Sequence, residues 1–178
     1  MIFLGFTSTK SRKLFKYPTI LFTYFKYSIV PAIIASVPAI FFIKDDKFTQ
    51  TWLLYLGDGI FLFSIITIML IMSRKTHYEA ATGSLLIAGH TITVFGIIVI
   101  CLITFILLLF YVPDLFHLGN TKEVLKQAPA NIVFDKTHGL LYILFVNAVI
   151  GTFAAGSFAT LIMSYSTKRN QEGDKAEL

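Results

Sequence analysis

Charge is scarce in this sequence. Asp, Glu, Lys and Arg together make up 14% of its 178 residues, where a soluble domain carries about 25%. Hydrophobic residues account for 56% and the mean hydropathy is +0.74. A chain so poor in charge cannot clothe itself in polar surface, and lipid is the solvent that suits it. Its length is that of one domain.

Cysteine is almost missing. Cys101 stands alone inside an apolar run, which excludes an intrachain disulfide and a CxxC redox or metal motif. A lone Cys in such a run reads as a small hydrophobe. No Asn-x-Ser/Thr acceptor occurs, and Ile2 stands where N-myristoylation requires glycine. The first residues run apolar (Met1 to Phe6) and then basic (Lys10, Arg12, Lys13, Lys16), the reverse of a secretory signal peptide. HExxH, a helix-opening GxGxxG, the P-loop and GxSxG are all absent, so an enzyme is the least supported class. The net charge of +5 comes with no basic–aromatic stripe and no nucleic-acid module, so nucleic acid is not an expected partner.

What the chain does have is four long apolar runs, at 24–43, 51–72, 85–111 and 139–164. About 20 helical residues cross a hydrocarbon core, and backbone polar groups in lipid must be satisfied within the segment. The expected fold class is therefore all-α, an integral membrane four-helix bundle spanning 24–164. A basic segment, 1–23, precedes it and a polar tail, 165–178, follows, read as disordered after Thr167.

Basic residues set the orientation. The N-terminal region, the second loop and the tail hold ten of them, including Lys10, Lys26, Arg74, Lys75, Lys168 and Arg169. The first and third loops hold five: Lys44, Lys47, Lys122, Lys126 and Lys136. The positive-inside rule puts both termini in the cytoplasm. Trp52, Tyr17, Tyr24, Tyr27 and Tyr165 fall near the ends of runs, where amphipathic rings anchor at the interface. Within the third loop, Asn120 and Glu123 have capping-box spacing, predicting a short extracytoplasmic helix over 121–128 stopped by Pro129. The short second loop, with Gly83, predicts that helices two and three form an antiparallel hairpin.

Small residues mark packing faces. In the fourth run, Asn147, Gly151, Ala155 and Ala159 recur every fourth residue beside the row Ala148, Thr152, Gly156 and Thr160. Leu144, Ile150, Phe153, Phe158 and Leu161 are assigned to lipid. In the first run, Ser28, Ala32, Ala35 and Ala39 make a similar face, with Pro31 and Pro38 seven residues apart. Bundle packing explains both stripes more simply than a ligand site.

Asp58 is the unusual residue. It lies inside the second run between Gly57 and Gly59, where an acid costs about 2.5–3.5 kcal/mol at the helix centre and less off it. It either meets a partner in the bundle or faces water where the glycines let the helix fray. Counting residues inward from one membrane face puts Asp58, Thr104 and Asn147 roughly 10–12 Å deep, which predicts one polar cluster. His90 would be a packing residue or else a proton relay or haem ligand. His117 and His138, at the ends of the third loop, are a weaker haem or metal pair; His77 reads as solvated.

These observations point to a small non-enzymatic membrane protein, an accessory or assembly subunit with no cofactor, in a plasma or inner membrane. Its partners would be lipid and other membrane subunits or copies of itself. The alternatives are a small transporter or proton/ion pathway using Asp58 and Asn147, and a haem-binding redox subunit.

Overall fold

The computed structural model describes residues 17–45, 47–75, 82–112, 127 and 139–176. Among these the secondary structure is helical. Helix α1 spans Tyr17–Asp45, α2 Trp52–Lys75 and α3 Thr82–Tyr111; the fourth rod consists of α4, Leu140–Val146, a wide π-helical turn, Asn147–Gly151, and α5, Thr152–Ala176. A single 3-10 turn, Phe48–Gln50, joins α1 to α2. Four helices are long and apolar enough to cross a membrane: Leu21–Asp45, Phe48–Arg74, Gly83–Tyr111 and Leu140–Thr167. The expected helix at 121–128, along with His77, His117 and His138, lies outside the described residues.

Polar side chains within these helices are satisfied locally. Serine and threonine hydroxyls that would be stranded in an apolar surround donate back to carbonyls of their own helix: Ser36 to Ala32 at 2.7 Å, Ser64 to Ile60 at 2.8 Å, Thr93 to Gly89 at 2.9 Å and Thr160 to Gly156 at 2.7 Å. Helix α1 continues through Pro31 and Pro38, and both prolines are buried. The fourth rod starts at Gly139, whose φ of 78° is left-handed and suits a residue without a side chain. Its amide-side turn closes through Ile143 N–H donating to the Gly139 carbonyl at 2.9 Å.

Each helix packs chiefly against two others. Helix α1 lies beside α2 and α3, and the fourth rod lies on the far side, also beside α2 and α3. Thus α2 and α3 sit on a diagonal, not side by side as the hairpin expectation had it. Phe61 sits at the centre of this arrangement. Its fully buried ring reaches across the middle to Gly96, where an added Cβ would stand 2.7 Å from the ring. A large aromatic on α2 facing a glycine on α3 fills the diagonal while holding those two axes apart.

Close approach elsewhere also depends on glycine. A Cβ on Gly57 would come 2.7 Å from the Ala35 carbonyl oxygen, and one on Gly89 would meet Met69 and Thr160. The main core contains Ala32, Phe61, Ile65, Ile92, Ala148 and Ala159. A second cluster, near the α1–α2 turn, contains Phe42, Leu54, Leu108, Leu140 and Leu144. At that turn Lys44 Nζ lies 5.4 Å from the centre of the Tyr111 ring, and Gln50 donates to Asp45.

Two further expectations are corrected. Leu144, expected to face lipid, is buried, at 2% exposure. It stands four residues before Ala148, which puts both on one helical face. The segment after Thr167, expected to be disordered, continues α5 to Ala176. Elongating an existing helix avoids the nucleation penalty, and no proline interrupts 168–176.

Candidate functional site

The fourth rod shows where its two small rows go. Ala148, Thr152, Gly156 and Thr160 are buried, while Asn147, Gly151 and Ala155 are half-buried and Ala159 is again buried. Ile150, Phe153, Phe158 and Leu161 face outward. Gly156 sits against Thr93 of α3, whose side chain leaves no room for a Cβ.

Asp58 faces this rod. Helix α2 is regular through Gly57, Asp58 and Gly59, so the carboxylate is not at a frayed end. Gly57 presses on α1, while nothing lies within 4 Å of a Cβ built on Gly59. Asp58 itself is half-buried. Thr152 Oγ1 donates to Asp58 Oδ1 at 3.0 Å, unlike the hydroxyls that turn back onto their own helix. The Asn147 side chain lines the same cavity as the carboxylate. A Cβ on Gly151 would collide with Asp58 Oδ2 and stand 3.1 Å from Asn147 Oδ1. The missing side chain of Gly151 is the space that the acid fills.

Local backbone geometry makes this arrangement. Five residues advance an α-helix by about 500°, leaving the first and last side chains about 140° apart. In the wide turn the Thr152 N–H bonds to the Asn147 carbonyl, five residues back, which returns residue 152 to nearly the direction of residue 147. Asn147 and Thr152 therefore converge on one carboxylate. Thr152 was visible in the sequence as a member of a small-residue row, but its role as Asp58's donor depends on the wide turn, for which the sequence carries no periodic signal.

Asp58, Asn147 and Thr104 line one small cavity with Thr152 and Ser36, walled by Ala35, Leu54, Ile100 and Leu144. Its free volume of about 20 Å³ matches one water molecule. Beyond Leu54 and Asn147, which belong to both walls, a larger groove of about 360 Å³ opens between α2 and α4 toward the α1–α2 turn. Deeper in the bundle, Phe61, Ile65 and Ile92 are buried together with Thr93 and Thr160.

His90 stands apart from this site. Its Nδ1 lies 2.9 Å from the Leu86 carbonyl, and its ring meets Phe153 edge-on at 6.4 Å, the environment of a packing histidine. Cys101 is half-buried and free. Among the described residues, no three His, Cys, Asp or Glu side chains converge as metal ligands. No protein-family model, curated protein or solved structure matches this chain.

Proposed function

We propose that this chain is a non-enzymatic integral membrane accessory protein that recognises a membrane-embedded ligand or subunit through the α2–α4 face around Asp58. It forms a four-helix membrane bundle with both termini in the cytoplasm, so the α1–α2 turn lies outside. Two features support the membrane setting: the four long apolar helices, and outward-facing side chains such as Phe63, Ile87, Phe110 and Ile150, each at least 65% exposed. Water would penalise such a surface and lipid would not.

The observation that carries the recognition reading is the Asp58 carboxylate, which accepts a hydrogen bond from Thr152 and lines a small cavity that shares Leu54 and Asn147 with the neighbouring open groove. An acid retained at intramembrane depth is costly, and here it is positioned by two helices rather than left to water. Beyond it Phe61, Ile65 and Ile92 fill the core, and the buried hydroxyls of Thr93 and Thr160 are turned onto carbonyls of their own helices, an arrangement that favours recognition over conduction. The experiment compares wild type with Asp58→Asn after purification in mild detergent. Recognition predicts a bound component, identified by mass spectrometry, that the substitution releases. It also predicts proton and cation leak rates in liposomes that Asp58→Asn leaves unchanged.

The small cavity favours one second reading, a proton or ion pathway through Asp58 and Asn147, since a single water could relay a proton there. An Asp58-dependent flux in the same liposomes would select it over recognition.

A further inference from the structure

We propose that the small cavity beside Asp58 holds one desolvated sodium ion, bound by the Asp58 carboxylate and by neutral oxygens that all four helical rods bring to it.

The donor set comes first. The cavity takes Ser36 from α1, Asp58 from α2, Thr104 from α3, and Asn147 and Thr152 from the fourth rod. Each carries a side-chain oxygen, the ligand type that hard cations favour. Ser36 and Thr104 are buried, at 3% and 2% exposure. Two of the hydroxyl protons are already committed: Ser36 donates to the Ala32 carbonyl and Thr152 to Asp58 Oδ1. Their oxygens therefore offer lone pairs, not protons, to a third partner. Asp58 Oδ2 and Asn147 Oδ1 both border the place that a Gly151 side chain would take, so a charged acceptor and a neutral one are close neighbours. Acceptors gathered in this way attract a cation.

Charge selects a monovalent ion. No Lys, Arg or His lines the cavity, so the carboxylate has no protein counter-charge within it. The bases of the α1–α2 turn stand elsewhere. Lys44 Nζ lies over the Tyr111 ring, and Tyr111 is seven residues, about 10 Å of helix, beyond Thr104. Lys47 is exposed. Asp45 and Asp46 separate these two lysines in the chain and offset their charge at the turn. One carboxylate balances one positive charge, and a balanced pair is the form in which charge is tolerated away from water. A divalent ion would leave a net charge behind and calls for more oxygens, about six to eight for calcium.

Size selects sodium. The free volume of about 20 Å³ is that of one water molecule, so an ion enters without its hydration shell. A bare potassium ion is about as large as water and a sodium ion is smaller. The lining oxygens can close on sodium without moving the packed helices apart.

The test uses the full chain in detergent micelles, in alkaline buffer so that the carboxylate is ionised. Sodium, potassium and choline chlorides are compared at equal concentration. Thermal unfolding reads stabilisation, and equilibrium dialysis with radioactive sodium reads binding. Replacing choline by sodium should raise the unfolding midpoint by roughly 5 °C, potassium should do so by less than half as much, and dialysis should find one sodium per chain. Asp58→Asn should abolish both the midpoint shift and the bound sodium. Thr104→Val, which keeps the shape and the acid, should weaken sodium binding roughly tenfold; it keeps the test decisive if Asp58→Asn fails to fold. Equal midpoints in the three salts, a sodium shift that survives Asp58→Asn, or unchanged sodium affinity in Thr104→Val overturns the proposal and leaves the cavity to water. The site stands or falls apart from the recognition reading: a component that co-purifies through Asp58 without any sodium effect keeps recognition and removes the ion.

Discussion

Thr152 and Asp58 are joined across the helix interface by a hydrogen bond of 3.0 Å, although 94 residues separate them in the chain. The bond ties α2 to the fourth rod at the point where that rod widens into its π-helical turn. It also gives an acid inside a long apolar helix a fixed donor, the condition under which such a residue is tolerated in a membrane bundle.

Removing that donor has a defined cost. Thr152→Val keeps the shape and leaves the carboxylate one donor short. We expect a loss of about 1–2 kcal/mol, above the ~0.6 kcal/mol typical of an interhelical hydrogen bond in lipid, because the acceptor is a carboxylate. Thr152→Ser should lose much less. In an Asp58→Asn background the Thr152→Val penalty should shrink, and a double-mutant cycle by thermal unfolding in detergent measures the coupling. A penalty independent of residue 58 would show that Thr152 acts by packing alone.

Glycines in this region should divide sharply. Gly151→Ala places a Cβ against Asp58 Oδ2, whereas Gly59→Ala enters open space. The first should lower stability by about 1–3 kcal/mol through overpacking. The second should be neutral or slightly stabilising, since alanine favours helix over glycine by about 1 kcal/mol. Gly151→Leu should reduce folded yield further. Unfolding midpoints of the purified variants decide it, and equal tolerance at 59 and 151 would contradict the geometry.

Much of this arrangement was legible from sequence for a simple reason. Lipid demands continuous apolar helices, so the runs at 24–43, 51–72, 85–111 and 139–164 foreshadow the four long helices found. Depth was legible too, because helical rise is constant: counting residues put Asp58, Thr104 and Asn147 at one level, and all three line the same cavity. Rotation and neighbour order were not. The diagonal placement of α2 and α3 follows from a ring-on-glycine contact between Phe61 and Gly96, a tertiary fit with no local signature. The role of Thr152 depends on a turn that breaks helical periodicity. Leu144 was readable and misassigned, since its spacing to Ala148 already put it inward.

The proposed placement of both termini in the cytoplasm predicts a labelling pattern. In a Cys101→Ala background, Thr49→Cys in the α1–α2 turn should react with a membrane-impermeant thiol reagent in intact cells. Ser166→Cys, at the other end of the fourth rod, should react after the membrane is opened. Both positions have exposed surface. The reverse pattern would invert the topology and place the groove mouth in the cytoplasm.

The wide turn itself yields the sharpest test. Deleting one residue from an ordinary α-helix rotates everything beyond it by about 100° and draws it in by about 1.5 Å, which turns a packing face into lipid. Deleting Phe158 should do this, carrying Ala159, Thr160 and Met163 out of the core they now occupy. Deleting Val149 should not. It lies inside the π-helical turn and is 46% exposed. The Thr152 N–H already bonds the Asn147 carbonyl, so with Val149 gone the same two residues become an ordinary i, i+4 pair and the flanking helices keep their register. Both deletions remove an outward-facing hydrophobic residue from the same rod, so loss of that side chain does not separate them. The expected outcome is a monodisperse, cooperatively unfolding protein for the Val149 deletion and aggregated or absent protein for the Phe158 deletion. The Val149 deletion should retain the Asp58-dependent penalty of Thr152→Val, because both partners stay in place. If the two deletions fail alike, the fourth rod is a plain α-helix there, and the convergence of Asn147 and Thr152 on Asp58 loses its structural basis.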